Sequence, residues 1–156
     1  PLLQPPAHGM IVASRRKRWV VAISVLLVDD HELIRQGLRR AFERDGDFEV
    51  AGEAGSLADA RRLLTLLSPD VVILDVRLPD GNGLEACRKV RADFPEIGIV
   101  ILTMYAGDDQ LFEALEAGAS AFVPKNAPSE DVVAAARHAS SSPGCQTPSA
   151  KTSTGL

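Results

Sequence analysis

The chain has 156 residues, of which 46% are hydrophobic and 24% are charged, and its formal net charge at pH 7 is −4. This length suits one domain with a sizeable core, and the acidic balance excludes the broad basic surface that typifies nucleic-acid-binding domains. The two cysteines, Cys87 and Cys145, have neither the density of a disulfide scaffold nor the paired spacing of metal ligands, which favours a reducing, cytoplasmic setting.

Residues 1–21 are predicted to be a disordered basic leader, because they combine prolines with the cluster Ser14-Arg15-Arg16-Lys17-Arg18 and have no apolar periodicity. The apolar run from Trp19 to Val28 resembles the hydrophobic part of a signal peptide. It is shorter than the roughly 20 residues that a membrane span needs, and it meets two aspartates instead of a cleavage site. We therefore expect no membrane association.

Between residues 22 and 140, short apolar runs alternate with amphipathic stretches, which is typical of buried parallel strands alternating with helices. The predicted strands are Ile23 to Val28, Phe48 to Ala51, Val71 to Leu74, Ile99 to Leu102 and Ala121 to Val123. The predicted helices span 31–45, 57–67, 83–93, 108–117 and 129–139. Right-handed crossovers then predict one α/β domain, 22–140, with a doubly wound parallel sheet. The Ser/Thr/Pro-rich remainder, 141–156, has little to bury and is predicted to be disordered.

Polar residues follow the apolar bodies of four predicted strands. Asp29 and Asp30 follow the first strand, and Asp75 follows the third. Thr103 follows the fourth strand, and Lys125 comes shortly after the fifth. The carboxyl ends of parallel strands share one edge of the sheet, where ligands bind in open α/β folds. We therefore expect these five side chains to converge.

Their chemistry points to phosphoryl transfer. Crowded carboxylates repel one another, and a divalent cation relieves that repulsion. Hard oxygen ligands with room for water favour Mg²⁺ over zinc or a soft metal. An Asp75 oxygen can attack an incoming phosphorus to form an acyl phosphate. Lys125 and the Thr103 hydroxyl can then stabilise the phosphoryl oxygens.

Each of these residues also has an ordinary explanation. Asp29 or Asp30 alone is a common helix N-cap, and Asp29 with Glu32 resembles a capping box. Thr103 alone is typical of a strand end, and Lys125 of a solvated surface. Their joint placement at successive strand ends favours the functional interpretation.

Four motifs resemble, in order and spacing, the receiver domains of NarL/FixJ-type (LuxR-type) response regulators of two-component systems. The motifs are Leu27-Val28-Asp29-Asp30-His31, Ile73 to Gly81, Ile101-Leu102-Thr103 and Gly118 to Lys125. The resemblance implies a flavodoxin-like (βα)5 sheet with strand order 2-1-3-4-5.

The resemblance also implies a role for each site residue. Asp75 would be the phosphoacceptor, and a sensor histidine kinase would be the donor. Mg²⁺ would be held by Asp30, Asp75 and the backbone carbonyl of Arg77, and Asp29 would act mainly through water. The implied protein is a signalling domain without an external substrate, which switches partner binding or homodimerisation in transcriptional control.

Two residues would carry the switch. Phe122 stands at the position of an aromatic ring that swings inward as Thr103 moves toward the phosphoryl group. Residue 104 is usually small in the family, so Met104 is expected to narrow access to this group. The bulky Arg77 and Tyr105 are expected to shield it from water and so to lengthen its lifetime.

The sequence after the last predicted receiver helix contains no helix-turn-helix, so we expect no direct DNA binding from this chain. Three alternative functions fit parts of the pattern. The main competitor is a phosphorylation-independent interaction module with the same fold. A phosphatase of the haloacid dehalogenase type needs a second aspartate where Arg77 stands. A flavin-binding protein needs a loop rich in hydroxyl or amide groups where Asp29-Asp30-His31 stand.

Overall fold

The computed structural model describes residues 11–13, 19–104 and 107–141, with side chains from residue 21 onward. Its strands are β1 (Ile11–Ala13), β2 (Trp19–Val21), β3 (Ile23–Val28), β4 (Phe48–Ala54), β5 (Val71–Asp75), β6 (Arg77–Leu78), β7 (Gly81–Asn82), β8 (Gly98–Thr103) and β9 (Ala121–Pro124). Its helices are α1 (Glu32–Asp45), α2 (Leu57–Leu67), α3 (Gly83–Asp93), α4 (Asp108–Glu116) and α5 (Ser129–Ser141).

Five parallel strands form the central sheet in the order β4-β3-β5-β8-β9. Numbered along the chain, these strands lie second, first, third, fourth and fifth, so the predicted flavodoxin-like order is confirmed. All residues of β5 and β8 are buried. Their nearly continuous apolar sequence follows from helices that cover both faces of the sheet.

Two apolar cores lie on opposite faces of the sheet. On one face, α1 and α5 contribute Phe42 and Val132. On the other face, α2, α3 and α4 contribute Leu64, Cys87 and Leu111. The alternating inward and outward side chains of each strand supply both cores. Among the described residues, every helix is too short or too polar to span a bilayer.

The element limits agree closely with the sequence predictions, except at β4. This strand continues to Ala54, beyond the predicted end at Ala51, through Gly52 and Glu53. Neither residue extends an apolar run, so the pattern hides the end of the strand. A Cβ at Gly52 would lie 2.9 Å from the Leu67 side chain, so a larger residue would require that side chain to move.

The predicted basic leader contains structure at two places. Ile11–Ala13 pairs antiparallel with Trp19–Val21, so the disorder expected for 1–21 does not extend to these two segments. Residues 1–10 and 14–18 lie outside the described residues. Ser141 closes α5, and the rest of the predicted disordered tail, 142–156, also lies outside them.

Gly98 provides a test of how closely α5 packs on β8. A Cβ at this position would lie 2.5 Å from the carbonyl oxygen of Ala139, which is helix backbone and cannot rotate away. Gly98→Ala should therefore lower the free energy of unfolding by roughly 1–3 kcal/mol, the usual cost of overpacking. Urea denaturation measures the change.

Gly37 is the matched control, because it lies in α1 and a Cβ added to it would meet nothing within 4 Å. Gly37→Ala should raise the free energy of unfolding by about 0.5–1 kcal/mol, since alanine favours the helix. Equal effects of the two substitutions would contradict the close packing.

Candidate functional site

The carboxyl edge of the sheet brings four polar side chains together. Asp29 and Asp30 directly follow β3, and Asp75 is the last residue of its neighbour β5. One ligand atom from each of Asp29, Asp30, His31 and Asp75 lies within 4.8 Å of the others. The convergence that the sequence predicts for the three acids is therefore present.

Lys125 completes this cluster from the end of β9. Its ammonium lies 3.0 Å from Oδ2 of Asp29 and 2.9 Å from Oδ2 of Asp75. The Lys125 side chain is only 4% exposed, and the two carboxylates are 1% and 3% exposed. Two buried carboxylates thus share one ammonium, which leaves this trio with a net negative charge when all three groups are ionised.

Burial and the contacts within this trio set the pKa values of Asp75 and Lys125. Burial raises the pKa of Asp75, and the hydrogen bonds from the Lys125 ammonium and the Arg77 amide offset this only in part. Burial alone would lower the pKa of Lys125, but hydrogen bonds to Asp75 and Asp29 outweigh it and raise the pKa. The Lys125 ammonium contacts two carboxylates, which is why these contacts outweigh the effect of its burial.

His31 also belongs to the cluster, although the sequence analysis gave it no role. Its Nδ1 atom lies 2.9 Å from Oδ1 of Asp29, 3.1 Å from Oδ1 of Asp30 and 3.4 Å from the Lys125 ammonium. His31 is the N-cap residue of α1 and makes no side-chain cap hydrogen bond. Its position directly after the aspartate pair was the available signal.

The capping-box alternative for Asp29 does not hold. A capping box requires that the capping side chain belong to the N-cap residue, and the N-cap of α1 is His31. Oδ1 of Asp29 instead accepts a hydrogen bond from the His31 amide at 2.8 Å. Asp29 therefore lies outside α1 and faces the cluster.

A second layer of charged groups holds the loop between β3 and α1. Arg35 donates through Nη1 to the backbone carbonyl of Asp29 and through Nε to Oε1 of Glu53, the latter at 3.0 Å. Arg39 donates to Oε2 of Glu53 at 2.8 Å. Burial tends to raise the pKa of Glu53, but the hydrogen bonds from Arg39 and Arg35 lower it overall.

The segment after Asp75 folds back on itself. Oδ1 of Asp75 accepts a hydrogen bond from the Arg77 amide at 3.1 Å, and the Gly83 amide donates to the Val76 carbonyl at 2.7 Å. A Cβ at Gly83 would lie 2.2 Å from the Asp75 carbonyl oxygen, so only glycine fits there. This turn fixes the direction of the Asp75 carboxylate.

Asp80 fastens the same segment to α2. Its two carboxylate oxygens accept hydrogen bonds from the amides of Leu57 at 2.8 Å and Ala58 at 3.0 Å. These bonds satisfy two of the amides that a helix N-terminus leaves without partners. They lower the pKa of Asp80.

Thr103 and Phe122 lie at the adjoining strand ends. Thr103 is buried, and its carbonyl accepts the Lys125 amide at 2.7 Å. Phe122 is also buried, and both residues line a cavity of about 460 Å³ beside α4. Met104 is 69% exposed, and Tyr105 lies outside the described residues.

The donor set fits a hard cation. The cluster offers carboxylate oxygens from three aspartates and one imidazole nitrogen, and one ammonium cannot balance its acids. Oxygen donors of this kind hold Mg²⁺ or a similar divalent ion in proteins.

Comparisons with known proteins agree with this geometry. The family model described as response regulator receiver domain matches residues 25–137. The DNA-binding transcriptional activator DevR/DosR of Mycobacterium tuberculosis is 46% identical over 104 residues, which are 67% of this chain and 48% of that protein. The transcriptional regulatory protein LiaR of Bacillus subtilis is 36% identical over 118 residues, which are 76% of this chain and 56% of that protein.

Solved structures show the same fold. A two-component response regulator of the LuxR family from an Aurantimonas species superposes with a TM-score of 0.76 at 34% identity, covering 84% of this chain and 94% of that one. The signal receiver domain of the putative response regulator NarL from Mycobacterium tuberculosis superposes with a TM-score of 0.73 at 29% identity. The superposition covers 77% of this chain and 97% of that one.

The chain spans about half the length of the curated relatives it matches. The family match covers residues 25–137, which include Asp29, Asp75 and Lys125. The chain therefore belongs to the response regulator receiver domain family, with relatives of the LuxR/NarL type.

Proposed function

We propose that the chain accepts a phosphoryl group from a sensor histidine kinase on Asp75, with Mg²⁺, and that this modification switches partner binding or homodimerisation. The observation that carries the proposal is the buried carboxylate of Asp75 at the centre of an acidic cluster that one ammonium leaves negatively charged. Such a cluster costs stability, and buried acids of this kind are typical of sites that bind charged ligands.

The chemistry is attack of an Asp75 oxygen on phosphorus. A bond from this oxygen to phosphorus forms as the bond between phosphorus and the donor nitrogen breaks, and the electron pair leaves with the donor. When bound, Mg²⁺ neutralises the acids and the phosphoryl oxygens. Asp30, Asp75 and the carbonyl of Arg77 would hold it, and Asp29 would act mainly through water.

Lys125 and Thr103 would stabilise the negative charge of the phosphoryl oxygens. The Lys125 ammonium already contacts Oδ2 of Asp75 at 2.9 Å, so a phosphoryl group on this residue lies within its reach. Oδ1 of Asp75 keeps the Arg77 amide as a fixed partner. The Thr103 hydroxyl would donate to a phosphoryl oxygen, and Phe122 would follow Thr103 as the second switch residue.

The switch works by a difference in free energy between two states. A ligand or modification moves a two-state equilibrium only as far as it favours one state, and about 5.5 kcal/mol moves it from 1:99 to 99:1. The cavity beside Thr103, Phe122 and α4 gives these side chains space to rearrange. The face formed by these residues is where we expect partner binding or dimerisation to change.

The output would be transcriptional control in the cytoplasm. DevR/DosR is a DNA-binding transcriptional activator, and LiaR is a transcriptional regulatory protein. We propose the same class of output for this receiver. The helices of the described residues all belong to the receiver fold, and we propose no DNA contact for them.

Phosphoacceptance is tested by intact-mass measurement after treatment with acetyl phosphate. The wild-type chain should gain one phosphoryl group when Mg²⁺ is present and little without it, and the group should be lost in Asp75→Asn because an amide is not a nucleophile here. Asp59→Asn is the control, since Asp59 is an exposed acid on α2 far from the cluster in sequence.

An unchanged mass gain in Asp75→Asn would refute this assignment. A wild-type chain that gains no phosphoryl group, yet binds its partner equally before and after treatment, would instead support the phosphorylation-independent interaction module.

The burial of the Asp75 carboxylate also predicts a stability change. The pKa of Asp75 is higher in the folded chain than in the unfolded one, so its favourable contribution is full in acid and is lost as the pH rises through the folded pKa. At neutral pH without metal, Asp75→Asn should therefore raise the free energy of unfolding. Chemical denaturation in a chelating buffer measures this.

Added Mg²⁺ should make the wild type more stable than Asp75→Asn. At a free concentration of 100 times its Kd, an ion that binds only the folded state adds about 2.7 kcal/mol, and Asp75→Asn should gain much less. Asp59→Asn should follow the wild type throughout. A metal-free Asp75→Asn variant less stable than the wild type would contradict the cost assigned to the buried charge of Asp75.

A further inference from the structure

The backbone of Asp29 is held on both sides of its Cα atom. The Asp29 amide donates to the carbonyl of Ala54 at 3.0 Å, which ties it to the end of β4. The Asp29 carbonyl accepts a hydrogen bond from Nη1 of Arg35, a residue on α1. The donor to this carbonyl is therefore a charged side chain from the next helix.

This carbonyl lies in the backbone between the two acids. It belongs to the peptide unit that joins Asp29 to Asp30, and peptide units are planar. Fixing its direction fixes the amide and Cα of Asp30 relative to Asp29. The carboxylates of both residues contact Nδ1 of His31, at 2.9 and 3.1 Å, so they face the same space.

Glu53 holds Arg35 in this position. Its Oε1 accepts from Nε of Arg35 at 3.0 Å, while Nη1 of the same guanidinium remains directed at the loop. Glu53 pairs with Leu27 in the sheet, two residues before Asp29. The Arg35 side chain is 19% exposed and that of Glu53 28%, so solvent screens this contact less than a surface ion pair.

We propose that Arg35 is a positioning residue for the cation site: it orients the peptide between Asp29 and Asp30 so that both carboxylates face the cation, and Glu53 anchors it. This inference rests on the proposed use of Mg²⁺. Groups that orient metal ligands without touching the metal typically change affinity about 10–100-fold when they are removed.

Arg39 provides a matched control within the same cluster. Its Nε donates to Oε2 of Glu53 at 2.8 Å, and its Nη2 lies 2.6 Å from the same oxygen. These contacts are with Glu53 and not with the Asp29 carbonyl. Arg35→Gln and Arg39→Gln each remove one charged partner of Glu53. Only Arg35→Gln releases the peptide between the acids.

The experiment is a titration of the full chain with Mg²⁺ alone, in which the chemical shifts of the backbone amides report binding. Arg35→Gln should weaken Mg²⁺ binding about ten-fold or more, and Arg39→Gln should leave the wild-type Kd. Acetyl phosphate then provides a second measurement: the Mg²⁺ concentration for half-maximal phosphorylation should rise in Arg35→Gln, with a rate at saturating Mg²⁺ close to that of the wild type.

The outcomes separate the inference from the proposed function. A wild-type Kd in Arg35→Gln, or equal weakening in Arg35→Gln and Arg39→Gln, overturns the positioning role but leaves phosphoacceptance intact. A wild-type chain that does not bind Mg²⁺ overturns both. If Arg35→Gln does not fold, Glu53→Gln replaces it and should weaken Mg²⁺ binding in the same direction; an unchanged Kd there overturns the inference.

Discussion

The site depends on one unequal charge pairing: a single buried ammonium, that of Lys125, between the carboxylates of Asp29 and Asp75. Inside a protein such an imbalance is costly, because buried charges are screened far less than exposed ones. The surrounding structure maintains it with fixed contacts on each acid: the His31 amide on Asp29 and the Arg77 amide on Asp75. The same excess of negative charge favours a cation at this site.

The fold makes this pairing possible through strand order. β3 and β5 are hydrogen-bonded neighbours, so residues that follow them meet at one edge, while β9 delivers Lys125 from beyond β8. The strands need only be apolar to take their places between two layers of helices. Their ends can therefore carry charged residues without disturbing either core.

The sequence predicted the five strands, the five helices and the acid cluster, because apolar runs and helical periodicity are strong signals and parallel topology brings strand ends together. It did not predict the contacts of Arg35, Glu53 and Asp80. Arg35 and Glu53 are 18 residues apart, and Asp80 and Leu57 are 23 apart. In the sequence alone, these side chains cannot be distinguished from ordinary solvated charges. The pairing of Ile11–Ala13 with Trp19–Val21 was missed since three-residue strands have too little pattern to detect.

The cap that Asp80 places on α2 has a consequence for how the chain folds. The Ser56 hydroxyl accepts a hydrogen bond from one amide of the first turn, that of Asp59. The amides of Leu57 and Ala58 donate instead to the carboxylate of Asp80, which follows the third strand of the sheet along the chain. Contacts between distant segments carry a loop-closure cost and slow the route to the native state. The N-terminus of the second helix is therefore fully capped only after the segment that follows β5 has folded against it. The folding of this helix is thus coupled to that of the strand which carries Asp75.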